Sequence, residues 1–184
     1  GATACNDCDD GYTCPEGSVV QIPASCDPGT YLNASLELCV GCPAGSMCSG
    51  GASQLRPCAR GGYCATNVSQ PTDCPAGRYG SETGLSGPAC SDECARGFYC
   101  EAGSVSAKAA ACAEGSYGNA TSLVAQANCT TCPEGHACRE GTAAPTLCSP
   151  GTVAPSTRMG ACNKCAAGTY QDEEGGLACK PCTS

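Results

Sequence analysis

Apolar side chains follow neither of the two rhythms that make a helix or a long strand. No stretch of useful length repeats them at i, i+3, i+4 and i+7, so helix is not expected. Alternation with period two is confined to short spans such as Tyr117 to Val124, which predicts small hairpin strands. What recurs instead is cysteine and glycine at fixed spacing, so the repeat has to be read before any site.

Two kinds of Cys-bounded segment recur. The long one is Cys-x-x-Gly-x-Tyr/Val with a second Cys 13 to 17 residues after the first, opening at Cys26, Cys74, Cys112, Cys148 and Cys165. The short one is Cys-x-x-Gly-x-x-Cys, opening at Cys8, Cys42, Cys58, Cys94 and Cys132. The two mostly alternate, but a short segment occurs twice running between Cys42 and Cys74, and one is skipped after Cys162.

Units that are duplicated or dropped whole, with two cysteines each time, are most simply closed on themselves. This favours Cys8–Cys14, Cys26–Cys39, Cys42–Cys48, Cys58–Cys64, Cys74–Cys90, Cys94–Cys100, Cys112–Cys129, Cys132–Cys138, Cys148–Cys162 and Cys165–Cys179. Cys5 and Cys182 are then left over, as in a piece of a longer array. A rival scheme pairs one-to-three and two-to-four within sets such as Cys39, Cys42, Cys48 and Cys58. It uses every cysteine but leaves the long Gly-x-Tyr loops unclosed, and spacing alone does not decide between the two.

Composition fits this picture. Of 184 residues 22 are Cys and 38 are Gly or Pro, whereas Leu, Ile, Val and Phe together number 17. A core of large aliphatic side chains, each supplying ~1.5–3 kcal/mol on burial, is excluded. Disulfides that restrict the unfolded chain, at ~2–4 kcal/mol each, would replace it. Every Tyr (12, 31, 63, 79, 99, 117 and 170) lies one or two residues after a Gly, and the rings are expected to fold over the disulfides as miniature cores. Stacking of carbohydrate on an exposed ring is the lesser reading.

The net charge is −8 with no basic cluster, so neither nucleic acid nor an anionic membrane surface is an expected partner. No run of about 18 apolar residues can insert in a bilayer. Dense cysteine points to an oxidising compartment, hence a secreted or cell-surface chain. Four of the six Asn stand in Asn-x-Ser/Thr, namely Asn33, Asn67, Asn119 and Asn128, and are candidate sites for N-linked glycans on exposed loops. Asn128 is the weakest of them, because a half-cystine, Cys129, follows it.

The clearest unit is Cys165-Ala-Ala-Gly-Thr-Tyr-Gln-Asp-Glu-Glu-Gly-Gly-Leu-Ala-Cys-Lys-Pro-Cys182. It resembles the ephrin-receptor-like cysteine-rich repeat and is similar to growth-factor-receptor and tumour-necrosis-factor-receptor modules. The pieces Cys42-Pro-Ala-Gly-Ser-Met-Cys48 and Cys132-Pro-Glu-Gly-His-Ala-Cys138 resemble repeat arrays of protist and algal surface proteins. The resemblance implies small disulfide-rich repeats, mostly irregular with short β-hairpins and little or no helix, stacked as an elongated rod. It brings no catalytic residues. The expected modules are 1–25, 26–73, 74–111, 112–147 and 148–184, the second carrying an extra short loop and the last lacking one.

Other chemistry was weighed residue by residue. Close pairs such as Cys39/Cys42, Cys90/Cys94, Cys129/Cys132 and Cys162/Cys165 have zinc-knuckle spacing, but the intervening Cys-x5-Cys segments favour oxidised sulfur, and zinc binding is only a distant alternative. Redox catalysis would need a low-pKa thiolate at a helix start, which nothing here builds. The single His, His136, has no nucleophile tied to it. Acidic groups at Asp7, Asp9 and Asp10, at Asp92 and Glu93, and at Asp172, Glu173 and Glu174 read as solvated turns, with calcium bridging the lesser reading.

No enzyme activity and no cofactor is expected. The leading expectation is a non-enzymatic, glycosylated extracellular structural segment: a stalk, surface coat or filament subunit whose partners are itself or neighbouring extracellular proteins. The alternative is a receptor or adhesin ectodomain that binds a protein ligand, with Leu32, Leu36, Leu38, Leu123 and Val124 as candidate contacts.

Overall fold

The computed structural model describes residues 12–14, 21–23, 25–51 and 55–183. Expectations for Cys5, Cys8, Asp7, Asp9 and Asp10 lie outside these residues.

Each module begins with a turn that the Cys-x-x-Gly spacing builds. In Cys74-Pro-Ala-Gly-Arg the N–H of Arg78 donates to the carbonyl of Pro75 at 3.1 Å, and Gly77 sits at φ 86°. A positive φ at the third position defines a type II turn, where glycine has no Cβ to clash. The same bond joins Thr30 to Asp27, Phe98 to Ala95, Ser116 to Ala113, Thr152 to Ser149 and Thr169 to Ala166, at 3.0–3.1 Å. Where the residue after the Gly carries a hydroxyl, as at Thr30, Ser116, Thr152 and Thr169, that hydroxyl donates to the same carbonyl at 2.6–2.7 Å.

A two-residue strand leaves each turn and pairs antiparallel with the two residues before the next module's opening Cys. Arg78–Tyr79 pairs with Asp92–Glu93, for example, and Phe98–Tyr99 with Ala110–Ala111. The longest ladder joins Thr30–Asn33 to Leu38–Gly41. The fold is thus a series of small disulfide-rich hairpins, almost free of helix. Among the described residues the helical element is one 3-10 turn, Gln126–Asn128.

The alternation from Tyr117 to Val124 does not form a hairpin of its own. Ser116–Tyr117 is the strand, and its partner is Thr130–Thr131. The left-handed backbone at Ser122, φ 61°, breaks the run between them.

The chain folds as two compact units. The first comprises the described residues as far as Cys74 with Gly80–Ser91, and the second Pro75–Tyr79 with Asp92 onward. Within both, neighbouring modules are joined by backbone bonds in a fixed pattern. In the first unit the N–H of Gly45 donates to the carbonyl of Cys64 (2.8 Å) while its own carbonyl accepts from Cys58 (2.9 Å). In the second, Gly97 donates to Gly118 (3.0 Å) and accepts from Cys112 (2.9 Å), and Gly115 donates to Cys138 and accepts from Cys132. Each turn glycine is therefore held between residues three before and three after the turn glycine of the next module, which satisfies turn groups that would otherwise need water.

A second contact returns from the long side of the next hairpin. The carbonyls of Cys26, Cys42 and Cys58 accept from Gly51, Asn67 and Gly84 in the first unit. Those of Cys94, Cys112, Cys132 and Cys148 accept from Ser122, Gly141, Arg158 and Gly175 in the second. All seven donors have positive φ, between 61° and 81°. At four the sequence supplies Gly, and at Asn67, Ser122 and Arg158 a side chain tolerates the same conformation.

The buried core is sulfur. Cys42, Cys48, Cys58, Cys64, Cys74, Cys94, Cys100, Cys112, Cys132, Cys138 and Cys148 are fully buried, joined by Cys26, Val153 and Ala154. The tyrosines divide: Tyr31, Tyr63, Tyr79, Tyr99 and Tyr117 are half-buried, whereas the expectation of a covered ring fails at Tyr12 and Tyr170, which are 45 % and 44 % exposed.

Candidate functional site

Among the described residues nine disulfides join Cys26–Cys39, Cys42–Cys48, Cys58–Cys64, Cys74–Cys90, Cys94–Cys100, Cys112–Cys129, Cys132–Cys138, Cys148–Cys162 and Cys165–Cys179. The two cysteines of each close pair belong to successive disulfides, as Cys129 does to Cys112 and Cys132 to Cys138. Cys14 is also disulfide-bonded, and Cys182 is an exposed free thiol. Among the described residues no three His, Cys, Asp or Glu side chains converge as a metal site.

The sequon asparagines occupy different local settings. Asn33 ends a strand, and its Oδ1 accepts from the N–H of Ser35 (2.9 Å) and of Leu36 (3.2 Å), closing the hairpin as an Asx turn. Asn67 is exposed but carries a structural duty, since its N–H clips Cys42 and its side-chain oxygen lies against Gly41. Asn119 and Asn128 are exposed, Asn128 closing the 3-10 turn with its N–H on the carbonyl of Ala125.

Thr121, third residue of the Asn119 sequon, donates its hydroxyl to Glu93 Oε2 at 2.7 Å. Bonds from Thr121 and then Ser122 hold the Glu93 carboxyl below its usual value, with Arg78, 3.8 Å from Oε1, adding a smaller push. Of the other acidic cluster, Asp172 is bound by Lys180 at 2.7 Å, which lowers the carboxyl and raises the ammonium. Both clusters lie at the surface and work as exposed ion pairs rather than chemistry. His136 pairs with Leu147 across a ladder, and its Nδ1 lies 2.9 Å from the carbonyl of Glu134.

Of the candidate apolar contacts, Leu36, Leu38 and Val124 are exposed, whereas Leu32 and Leu123 are half-buried. Spacing did not point to the open clefts of the second unit. One, of about 480 Å³, lies between Thr146–Leu147 and the Ser149 turn. The other, about 410 Å³, lies between the Ala113 turn and Gln126–Cys129. Both depend on where a long loop returns over its own turn, which the sequence does not print.

With this geometry in view, residues 151–184 match the family model described as tyrosine-protein kinase ephrin type A/B receptor-like. The matched stretch spans the last two hairpins. Together with the disulfides, the match supports a cysteine-rich array with ephrin-receptor-like repeats, and the matched domain is of a non-catalytic ectodomain type. No curated protein matches the chain.

Proposed function

We propose that this chain is a non-enzymatic extracellular structural segment, a stalk, surface-coat or filament piece, N-glycosylated at Asn33, Asn67, Asn119 and Asn128. The observation that carries the reading is the repeated bracket around each turn glycine, because it joins module to module through backbone atoms alone and can be repeated indefinitely. The fully buried groups are half-cystines, Ala154 and little else, so resistance to unfolding comes from covalent closure rather than from a shaped apolar interior. Among the described residues no helix is long and apolar enough to cross a membrane. The partners proposed are further copies or neighbouring extracellular proteins.

The test is intact mass and limited proteolysis of the native glycoprotein, before and after reduction and deglycosylation. Expected are sugar mass on the sequon peptides, alkylatable thiols confined to the two cysteines outside the local pairs, Cys5 and Cys182, and cleavage that rises at least tenfold only after reduction. Free thiols throughout, or protease sensitivity unchanged by reduction, would sink the proposal.

A further inference from the structure

The second unit contains one turn whose polar groups are satisfied by a side chain and two equivalent turns, at Ser149 and Ala166, whose groups are not. Gln126 Oε1 accepts from the N–H of Ala113 at 2.9 Å, and its Nε2 donates to Ser116 Oγ at 3.1 Å. The hydroxyl of Ser116 is spent on the carbonyl of Ala113 at 2.7 Å, so it meets Gln126 with a lone pair. The backbone N–H needs an acceptor and that lone pair needs a donor, which fixes the orientation of the amide. One primary carboxamide thus fills both needs of the turn.

The same turn recurs at Ser149. Thr152 Oγ1 donates to the carbonyl of Ser149 at 2.6 Å and so presents the same lone pair. The N–H of Ser149 has no hydrogen-bond acceptor among the described residues. Between Val153 and Cys162 the loop contains neither Asn nor Gln, and Met159 stands three residues before Cys162 where Gln126 stands three before Cys129. The turn borders the open cleft of about 480 Å³ with Thr152, Leu147, Thr142, Ala161 and Arg139, whereas Gln126 itself lines the cleft of about 410 Å³ at the Ala113 turn.

We propose that this cleft binds the primary carboxamide of a Gln or Asn side chain on an extended segment of a partner protein. A primary amide carries its oxygen and one N–H on the same edge, as Gln126 uses them. A trans secondary amide, such as the acetamido group of a sugar, has them on opposite edges, and a carboxylate has no proton for Thr152. Leu147, 48 % exposed, offers apolar surface to the methylene stem. The guanidinium of Arg139 has no ion pair among the described residues, which favours a carboxylate next to the carboxamide in the partner. This goes beyond the structural role and is tested separately from it, since its failure would leave the proteolysis and mass readings unaffected.

The experiment is a 1H–15N NMR titration of the oxidised 184-residue chain with the blocked peptide Ala-Glu-Gln-Glu-Ala. The expected result is a saturable shift of the Ser149 amide. The peptide with Glu in place of Gln, and N-acetylglucosamine, should leave that amide unmoved. Thr152→Val removes the lone pair and should weaken binding about tenfold, the loss expected of one hydrogen bond. Met159→Gln supplies an internal carboxamide, so it should move the Ser149 amide by itself and abolish the peptide's effect. Absence of a saturable shift, an equal response to the Glu peptide or the sugar, or undiminished binding by Thr152→Val overturns the proposal.

Discussion

The backbone N–H of Asn67 donates to the carbonyl of Cys42 at 2.9 Å, and Asn67 makes that bond from the left-handed region at φ 61°. A sequon asparagine therefore also holds one module to its neighbour. Gly51 and Gly84 do the same for Cys26 and Cys58, and asparagine is the side chain that follows glycine there at least cost, because its short polar group bonds locally.

The two roles of Asn67 separate by mutation. Ser69→Ala destroys the sequon and leaves the clip, so it should remove the sugar mass with stability otherwise unchanged. Asn67→Val destroys both and adds about 1–2 kcal/mol of left-handed strain, whereas Asn67→Gly should keep the clip. Guanidinium unfolding of the three enzymatically deglycosylated variants, disulfides intact, ranks them.

Arg158 makes the same clip onto Cys132 at φ 65°, where Gly141 and Gly175 serve Cys112 and Cys148. Arg158→Gly is expected to raise stability by about 0.5–1 kcal/mol, as relief of strain outweighs the added freedom of the unfolded chain. An unchanged or lower unfolding midpoint would show that the Arg158 side chain contributes more than its backbone costs.

Gly97 and Gly151 share a turn conformation, φ 86° and 82°, but not surroundings. A Cβ on Gly97 would collide with the carbonyl of Gly141, whereas a Cβ on Gly151 meets nothing within 4 Å. Gly151→Ala should cost only the left-handed strain, about 1–2 kcal/mol. Gly97→Ala should cost more than 3 kcal/mol, as backbone outliers that the surroundings cannot absorb do, with amide exchange accelerated at Cys112 and at residue 97 itself. Equal costs would mean that the Gly141 segment yields to the added methyl group.

Protonation of Glu93 is coupled to folding. Its carboxyl is held below 4.5 by hydrogen bonds from Thr121 and Ser122 and by Arg78, so the stabilisation is complete above the unfolded value and is lost as pH falls through the lower folded one. Thr121→Val should return the Glu93 pKa toward 4.5, read by carboxyl 13C titration, and flatten the acid limb of the stability curve. The Lys180–Asp172 pair acts with both signs: the raised ammonium loses its contribution above the ordinary lysine range, and the lowered carboxyl loses its own in acid.

The hairpin character of the fold was legible because Cys-x-x-Gly is a local instruction: a turn needs a residue free to take positive φ at one position, and Gly77 or Gly97 announces it. The helix-free reading followed equally from the missing period. The tyrosines were legible only in part, because Gly-x-Tyr reads as a packing motif whether the ring is half-buried, as at Tyr99, or left 44 % exposed, as at Tyr170. The clips at Ser122 and Arg158 carry no sequence signal at all, since neither residue type marks a left-handed position. The cleft at Ser149 was equally silent, arising from what the loop before Cys162 omits.

The nine disulfides close loops of 6 to 17 residues, and this bears on how such a chain would answer tension. Each closed loop is bypassed by its own sulfur bridge, so pulling the ends apart can rupture the brackets around the glycines without paying out the slack inside the loops. What lengthens is only the connectors, two residues between Cys129 and Cys132 and nine between Cys138 and Cys148. A segment built this way gives a little under load as the strands in the connectors, such as Thr130–Thr131 and Thr146–Leu147, peel from their partners, reaches the end of its travel early, and re-forms its hairpins and module contacts from sulfur-closed loops that never opened.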